Sequence, residues 1–220
     1  QYVFRTVYFF QPDSILAMRL AFLILDVLAL FFIIGILCKL GLNINMSGVY
    51  FWCPLIIKET FNSTHLDIIG ISFLCGSVYF LVHKRHTLAT FFLALGFLGK
   101  LYPAILFPLY IQVCFQQCKI SKDNPWRISI LNTLFFVGII ILGYIPFMGI
   151  GLHMFDGLKA YSLYWQSNDS IFACFLFLFK SLPGDLSSIT FLSNSLPVFL
   201  SKVTVVCILM GVLIWLLLKN

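Results

Sequence analysis

Ile128–Ile150 reads ISILNTLFFVGIIILGYIPFMGI, a run without a single charged side chain. At a rise of about 1.5 Å per residue such a helix crosses a hydrocarbon core about 30 Å thick. Leu196–Leu218 is a second run of sufficient length, with Lys202 as its one charge, and Ile15–Lys39 is as long but carries Arg19 and Asp26. Shorter apolar runs fall at Leu42–Ile57, Leu66–Val82, Thr87–Gly99, Pro103–Gln116 and Ser170–Lys180. Short helices are tolerated in membranes where protein covers their ends or where they line a wet cavity. The expected fold is therefore all-α, a polytopic bundle of about seven to eight membrane helices, some short or broken. Neither a domain boundary nor an internal repeat is visible, so residues 1–220 read as a single transmembrane domain.

Composition leads to the same class. Of the 220 residues 61% are hydrophobic and 10% charged, and the mean hydropathy is +1.02, outside the range of soluble domains. The net charge of +6 comes from 14 Lys and Arg scattered singly or in pairs, which builds no basic face for nucleic acid. The seven cysteines lie in or beside apolar runs with no CxxC spacing and read as small buried hydrophobes. Gln1 is not a Met and no signal peptide follows it, so the chain is expected to be part of a longer protein.

Basic residues between helices set the orientation. Lys39, then His83–His86, then Lys119, Lys122 and Arg127, and finally Lys219 share one side if the helices alternate; that side is taken as cytoplasmic. The outer side then receives Lys58–Asp67, the Gly99–Pro103 turn and the stretch from His153 to Asp169. Ser181–Ser195 reads as a loop from its Pro, Gly and Ser content. A re-entrant half-helix at Ser170–Lys180 keeps Lys219 on the cytoplasmic side, and a full crossing would put it outside.

Lys58–Asp67, KETFNSTHLD, gathers ionisable groups between two apolar runs. Such groups are costly at membrane depth and commonly mark function. A break at Asn62-Ser63-Thr64 would aim Glu59, His65 and Asp67 into one space, with Ser63 or Thr64 capping the following helix and Asp67 in its first turn. Helix capping alone would also explain Thr64 and Asp67. His65 is the hardest of these to explain by packing, since imidazole can hydrogen-bond a phosphate or a sugar hydroxyl. HisxAsp by itself supplies two ligands, too few for a metal site. Lys58 and Lys100 suit an anionic phosphate, although a boundary lysine also snorkels without any function. Tyr102 and Trp165 fit an interfacial aromatic belt or a sugar-stacking platform. Asp26 is two turns beyond Arg19, about 10 Å along the axis, too far for direct pairing; it reads as structural or as part of a polar cavity. Three matches to the glycosylation sequon, at Asn45, Asn62 and Asn168, predict no glycans: the motif is short, the first falls on the cytoplasmic side and the others hug the membrane.

In order along the chain, Trp52-Cys53-Pro54-Leu55-Ile56-Ile57-Lys58-Glu59, Asn62-Ser63-Thr64-His65-Leu66-Asp67, Gly99-Lys100-Leu101-Tyr102-Pro103, and Tyr161 with Trp165-Gln166-Ser167-Asn168-Asp169-Ser170 resemble motifs of the GT-C-type integral membrane glycosyltransferases, of the polyprenyl-phosphate-mannose-dependent mannosyltransferase kind. The resemblance runs from about Asp13 to Phe179. Cys53 stands where the family pattern has Asn, and Thr64 where it has Gly. It implies a lipid-linked sugar donor, inverting transfer, and an acceptor lipid or glycan on the extracytoplasmic face. The general base is implied in a loop upstream of Gln1, with Glu59 and Asp67 as secondary candidates. By physical role, the substrate-binding candidates are Lys58 and Lys100 for the donor phosphate, His65 and Asp67 for the sugar or the departing phosphate, Asn62 with Glu59 for organising the loop, Tyr102 for stacking or the aromatic belt, and Trp165 and Asn168 for the acceptor or sugar. The resemblance implies no organic cofactor and leaves room for a divalent cation. The membrane would be a plasma membrane in a bacterium or the endoplasmic reticulum in a eukaryote. A transporter or lipid flippase would use the same kind of polar cavity, but here the polar residues gather at one membrane face and not at the centre. A non-catalytic membrane scaffold is the third reading.

Overall fold

Two of the long helices start where a side chain satisfies a free backbone N–H. In the computed structural model, which describes residues 2–164, 170–181 and 190–219, Ser14 opens the long helix α2 (Ile15–Lys39) by accepting a hydrogen bond from Ala17 N at 3.2 Å. Gly41, in the left-handed region at φ 68°, ends it, with Gly41 N donating to Cys38 O and Leu42 N to Leu37 O. This is the paired bonding of a Schellman stop, and Gly adopts its dihedral without a Cβ clash. Asn124 caps α8 (Pro125–Tyr144) through Arg127 N at 3.1 Å, with Pro125 at the first helical position.

Among the described residues all regular structure is helical. Three helices are long and apolar enough to cross a membrane: Ile15–Lys39 with 25 residues, Pro125–Gly151 with 27 and Pro197–Lys219 with 23. They coincide with the three long runs of the sequence. Their outer faces carry exposed Ile24, Phe31, Leu134, Leu142 and Val212, an apolar surface suited to lipid. Asp67–Val82, His86–Gly99 and Ile171–Lys180 are shorter apolar helices.

The Leu42–Ile57 run, expected as one short span, is instead a series of pieces. A 3-10 turn (Ile44–Met46) leads into α3 (Ser47–Phe51), then α4 (Pro54–Ile56), then a π-helical stretch, Ile57–Asn62. Pro54 is the physical reason: it donates no backbone hydrogen bond and drives Cys53 into an extended conformation, φ −69° and ψ 114°.

Two units divide the chain, residues 1–146 and 147–220. In the first, α1 (Tyr2–Phe10) lies on α2, and α5 (Asp67–Val82) packs against both α2 and α6 (His86–Gly99). α8 then packs on α6 and on α7 (Phe107–Ser121), which a 3-10 turn, Tyr102–Leu106, precedes. One core cluster joins Ala89, Leu93, Ala94, Tyr110, Cys114 and Phe136; another joins Phe22, Ile68 and Ile69. Close approach of α5 and α6 depends on Gly76, where a Cβ would collide with the Phe92 ring and sit 2.9 Å from Phe32.

In the second unit the 3-10 stretch ending at Phe155 is followed by α9 (Asp156–Tyr164), α10 (Ser170–Ser181) and α11 (Thr190–Lys219), and α10 packs on α11. The loop expected over Ser181–Ser195 is helical from Thr190 onward, and residues 182–189 lie outside the described residues. Pro197 is accommodated inside α11, where its carbonyl accepts from Ser201 Oγ at 2.7 Å.

Candidate functional site

The break expected at Asn62-Ser63-Thr64 is present and its form is specific. The π-helical stretch closes with Ser63 N donating to Lys58 O, and His65 N returns to Glu59 O, both at 2.9 Å. Thr64 takes a left-handed φ of 49°, uncommon for a β-branched residue. Single π turns of this kind occur often at functional positions because they re-aim side chains. Here the turn brings His65 Nε2 to 3.1 Å from Glu59 Oε2, while Lys58 Nζ stands 3.8 Å from Glu59 Oε1. His65 and Lys58 remain exposed; Thr60, between them, is buried. Asn62 closes the π-helical stretch, and its side chain lies outside the described residues.

Neither Ser63 nor Thr64 caps α5. The N-cap position is Leu66, whose apolar side chain offers no acceptor, and Thr64 has turned left-handed two residues before it. Asp67 is in the first turn of α5, as the sequence indicated. Its partner comes from the far end of α6: Lys100 Nζ forms an ion pair with Asp67 Oδ1, both side chains 43% exposed. Glu59 and His65 thus form one pair and Asp67 and Lys100 another, joined through Leu66, so Asp67 is not part of the Glu59–His65 contact. Burial pulls the Lys100 pKa below the ordinary lysine value.

Tyr102 belongs to the second pair. Its hydroxyl would be 3.1 Å, and Lys100 Cβ 3.3 Å, from a Cβ placed on Gly70. The bare glycine lets the aromatic ring and the lysine stem lie against the first turns of α5. The Tyr102 hydroxyl is enclosed, has no hydrogen-bond partner among the described residues, and is pushed above the ordinary tyrosine pKa mainly by burial. It stays protonated and can donate. Pro103 beside it is buried. The arrangement offers an ammonium, a phenolic donor and an imidazole at one end of an apolar bundle, with two carboxylates among them.

Trp165 and Asn168 lie outside the described residues. Asp26 accepts a 2.6 Å hydrogen bond from the Tyr50 hydroxyl, so the mid-helix carboxylate binds α2 to α3. Among the described residues no three His, Cys, Asp or Glu side chains converge to hold a metal ion.

Sequence reasoning missed a polar network at the other end of α6. Thr90 Oγ1 lies 2.7 Å from the Tyr110 hydroxyl and donates to Asn132 Oδ1 at 3.0 Å, and Tyr110 donates to His86 O at 2.7 Å. The His86 ring stands between Cys114 Sγ, at 2.8 Å, and Cys118 Sγ, at 3.7 Å. Both of these cysteines are buried as expected, whereas Cys38, Cys174 and Cys207 are exposed. The available signal was Thr90 and Asn132, polar side chains inside otherwise apolar runs.

Comparison with protein-family models, with curated proteins and with solved structures finds no match to this chain.

Proposed function

We propose that the chain is part of a membrane glycosyltransferase that moves a hexose, mannose by its resemblance, from a polyprenyl-phosphate-sugar to a lipid or glycan acceptor on the extracytoplasmic face. In this reading the bundle has about seven to eight membrane helices, the short ones bordering the site. The observation that carries it is the Asp67–Lys100 pair, with Tyr102 beside it, at one end of an apolar bundle. A lipid-linked phosphate arrives at that depth with its isoprenoid tail in the hydrocarbon. It needs a cation close to the boundary, and Lys100 supplies it, its stem and the Tyr102 ring both lying against Gly70.

In the reaction the acceptor oxygen attacks the anomeric carbon while a carboxylate takes the hydroxyl proton. The bond from that carbon to the phosphate oxygen breaks, and the electron pair leaves with the phosphate. Lys100 balances the charge that develops there, the kind of contact that contributes most in a site shielded from water. Within this chain Glu59 and Asp67 are the secondary candidates for that base. His65 binds a sugar hydroxyl and is oriented by Glu59. Lys58, more exposed, assists in attracting the donor. Trp165 and Asn168 are assigned to the acceptor or the sugar.

The test is transfer of labelled mannose from a polyprenyl-phosphate-mannose in membranes holding the full-length protein. Lys100→Ala is expected to lower kcat/KM by about 10²–10³-fold, and His65→Ala by about ten-fold. Transfer at the parent rate in both variants sinks the reading, and movement of the labelled lipid across the bilayer without transfer favours a flippase.

A further inference from the structure

A second charged recess lies between α1 and the start of α2, well separated in sequence from the Asp67–Lys100 pair. It is a groove of 570 Å³ whose lining includes Phe4, Arg5, Tyr8, Gln11, Asp13 and Met18, a size within the range of small-molecule sites. α1 is amphipathic. It carries one cation, Arg5, and leaves Tyr8, Phe9 and Phe10 58%, 82% and 79% exposed. Exposed aromatic rings of this kind favour the boundary between headgroups and acyl chains. α2 enters the hydrocarbon from the same level, its first residues Ile15 and Leu16 being strongly exposed. Val3 and Met18 pack against the Phe22–Ile68–Ile69 cluster, which seats α1 on the bundle at the Asp67 end of α5.

The groove therefore opens where phospholipid headgroups are. Arg5 and Asp13 both face it, and among the described residues neither forms an ion pair. We infer that the α1–α2 groove binds one phosphatidylethanolamine molecule, its phosphate on Arg5, its ammonium on Asp13 and its acyl chains along Phe4 and Met18. A guanidinium takes a phosphate through two parallel N–H···O bonds. A primary ammonium donates to the Asp13 carboxylate and can lie on the Tyr8 ring. A phosphatidylglycerol headgroup brings no cation to Asp13, and a choline headgroup brings a cation that cannot donate a hydrogen bond. The groove thus prefers ethanolamine over choline and choline over glycerol, and Asp13 supplies the discrimination against the last.

Native mass spectrometry of the full chain released from detergent, with dioleoyl-phosphatidylethanolamine, -phosphatidylcholine or -phosphatidylglycerol added, tests this directly. One phosphatidylethanolamine should stay bound at concentrations where phosphatidylglycerol does not. Arg5→Gln should weaken its retention about ten-fold, the loss of a charge-assisted contact. Asp13→Asn should bring ethanolamine and glycerol lipids to equal retention; Asn is suitable because Asp13 has φ 55°, a conformation Asn also tolerates. Equal retention of the two lipids by the parent overturns the proposal, as does unchanged phosphatidylethanolamine retention in both variants. If Arg5→Gln loses the thermal transition of the parent, the Asp13→Asn selectivity decides alone.

Discussion

Lys100 shows how one side chain's surroundings reach a measurable property. Because burial lowers its pKa, its ammonium is lost at a lower pH than that of a free lysine. If that ammonium compensates the leaving phosphate, transfer falls on the alkaline side at the depressed pKa. Lys100→Arg, whose guanidinium stays charged throughout, should retain measurable transfer and move that alkaline limb out of the accessible range; superimposable pH profiles would refute the role. Stability runs the opposite way. Between the depressed folded pKa and the ordinary unfolded one, the unfolded chain binds more protons, so the contribution of Lys100 to stability rises with pH through that window. The presence of Asp67 in the first turn of α5 was legible in the sequence, because carboxylates favour helix starts. Its pairing with Lys100 was not, since the two residues meet only once α5 and α6 have packed. Thr64 misled for a local reason: a left-handed backbone removes a threonine from capping geometry, and nothing in Asn62-Ser63-Thr64-His65 states that dihedral.

α5 and α6 meet through missing side chains, so a methyl group at the contact should register strongly. Gly76→Ala brings a Cβ against the Phe92 and Phe32 rings and is expected to cost about 1–3 kcal/mol by overpacking, seen as a lower melting temperature in detergent. An unchanged melting temperature would mean that the two helices do not approach this closely. At the other end of α6, Thr90→Val removes the hydroxyl that joins Tyr110 of α7 to Asn132 of α8. Hydrogen bonds between membrane helices average about 0.6 kcal/mol and reach about 1.7, so denaturant unfolding in micelles should show a loss inside that range. Long apolar runs such as Ile128–Ile150 could be read directly because composition and length suffice to define them. Leu42–Ile57 could not, because its hydropathy suits a span while the single residue Pro54 breaks the backbone bonding a span needs. Tyr110 sits within an apolar run and looks like packing until its hydroxyl is seen to reach Thr90 and His86 O.

Across the whole molecule, the sided distribution of charge is the property on which both the enzyme reading and the lipid groove depend. α5 runs 16 residues from Asp67 to Val82, a length of roughly 24 Å at 1.5 Å per residue, so the Lys58–Asp67 turn and the basic His83–His86 turn stand at opposite ends of a helix that nearly matches the hydrocarbon thickness. Basic loops are retained on the cytoplasmic side, so the proposed orientation has His65 and Lys100 outside and Lys122 inside. Single cysteines can read this sidedness in cells once the seven native ones are replaced. Ser63→Cys and Ser121→Cys both introduce thiols at exposed positions: Ser63 beside His65, Ser121 at the end of α7 next to Lys122. A membrane-impermeant maleimide added to intact cells or sealed right-side-out vesicles should label Ser63→Cys at once and Ser121→Cys only after the membrane is opened. The reverse pattern would put Lys100 and its proposed phosphate partner on the cytoplasmic face and would exclude an extracytoplasmic acceptor. Labelling of both from outside would show that α5, α6 and α7 do not together carry the chain across the bilayer. A donor with its sugar outside is reached only by the first pattern, because the phosphate, Lys100 and the acceptor hydroxyl must then meet on one face.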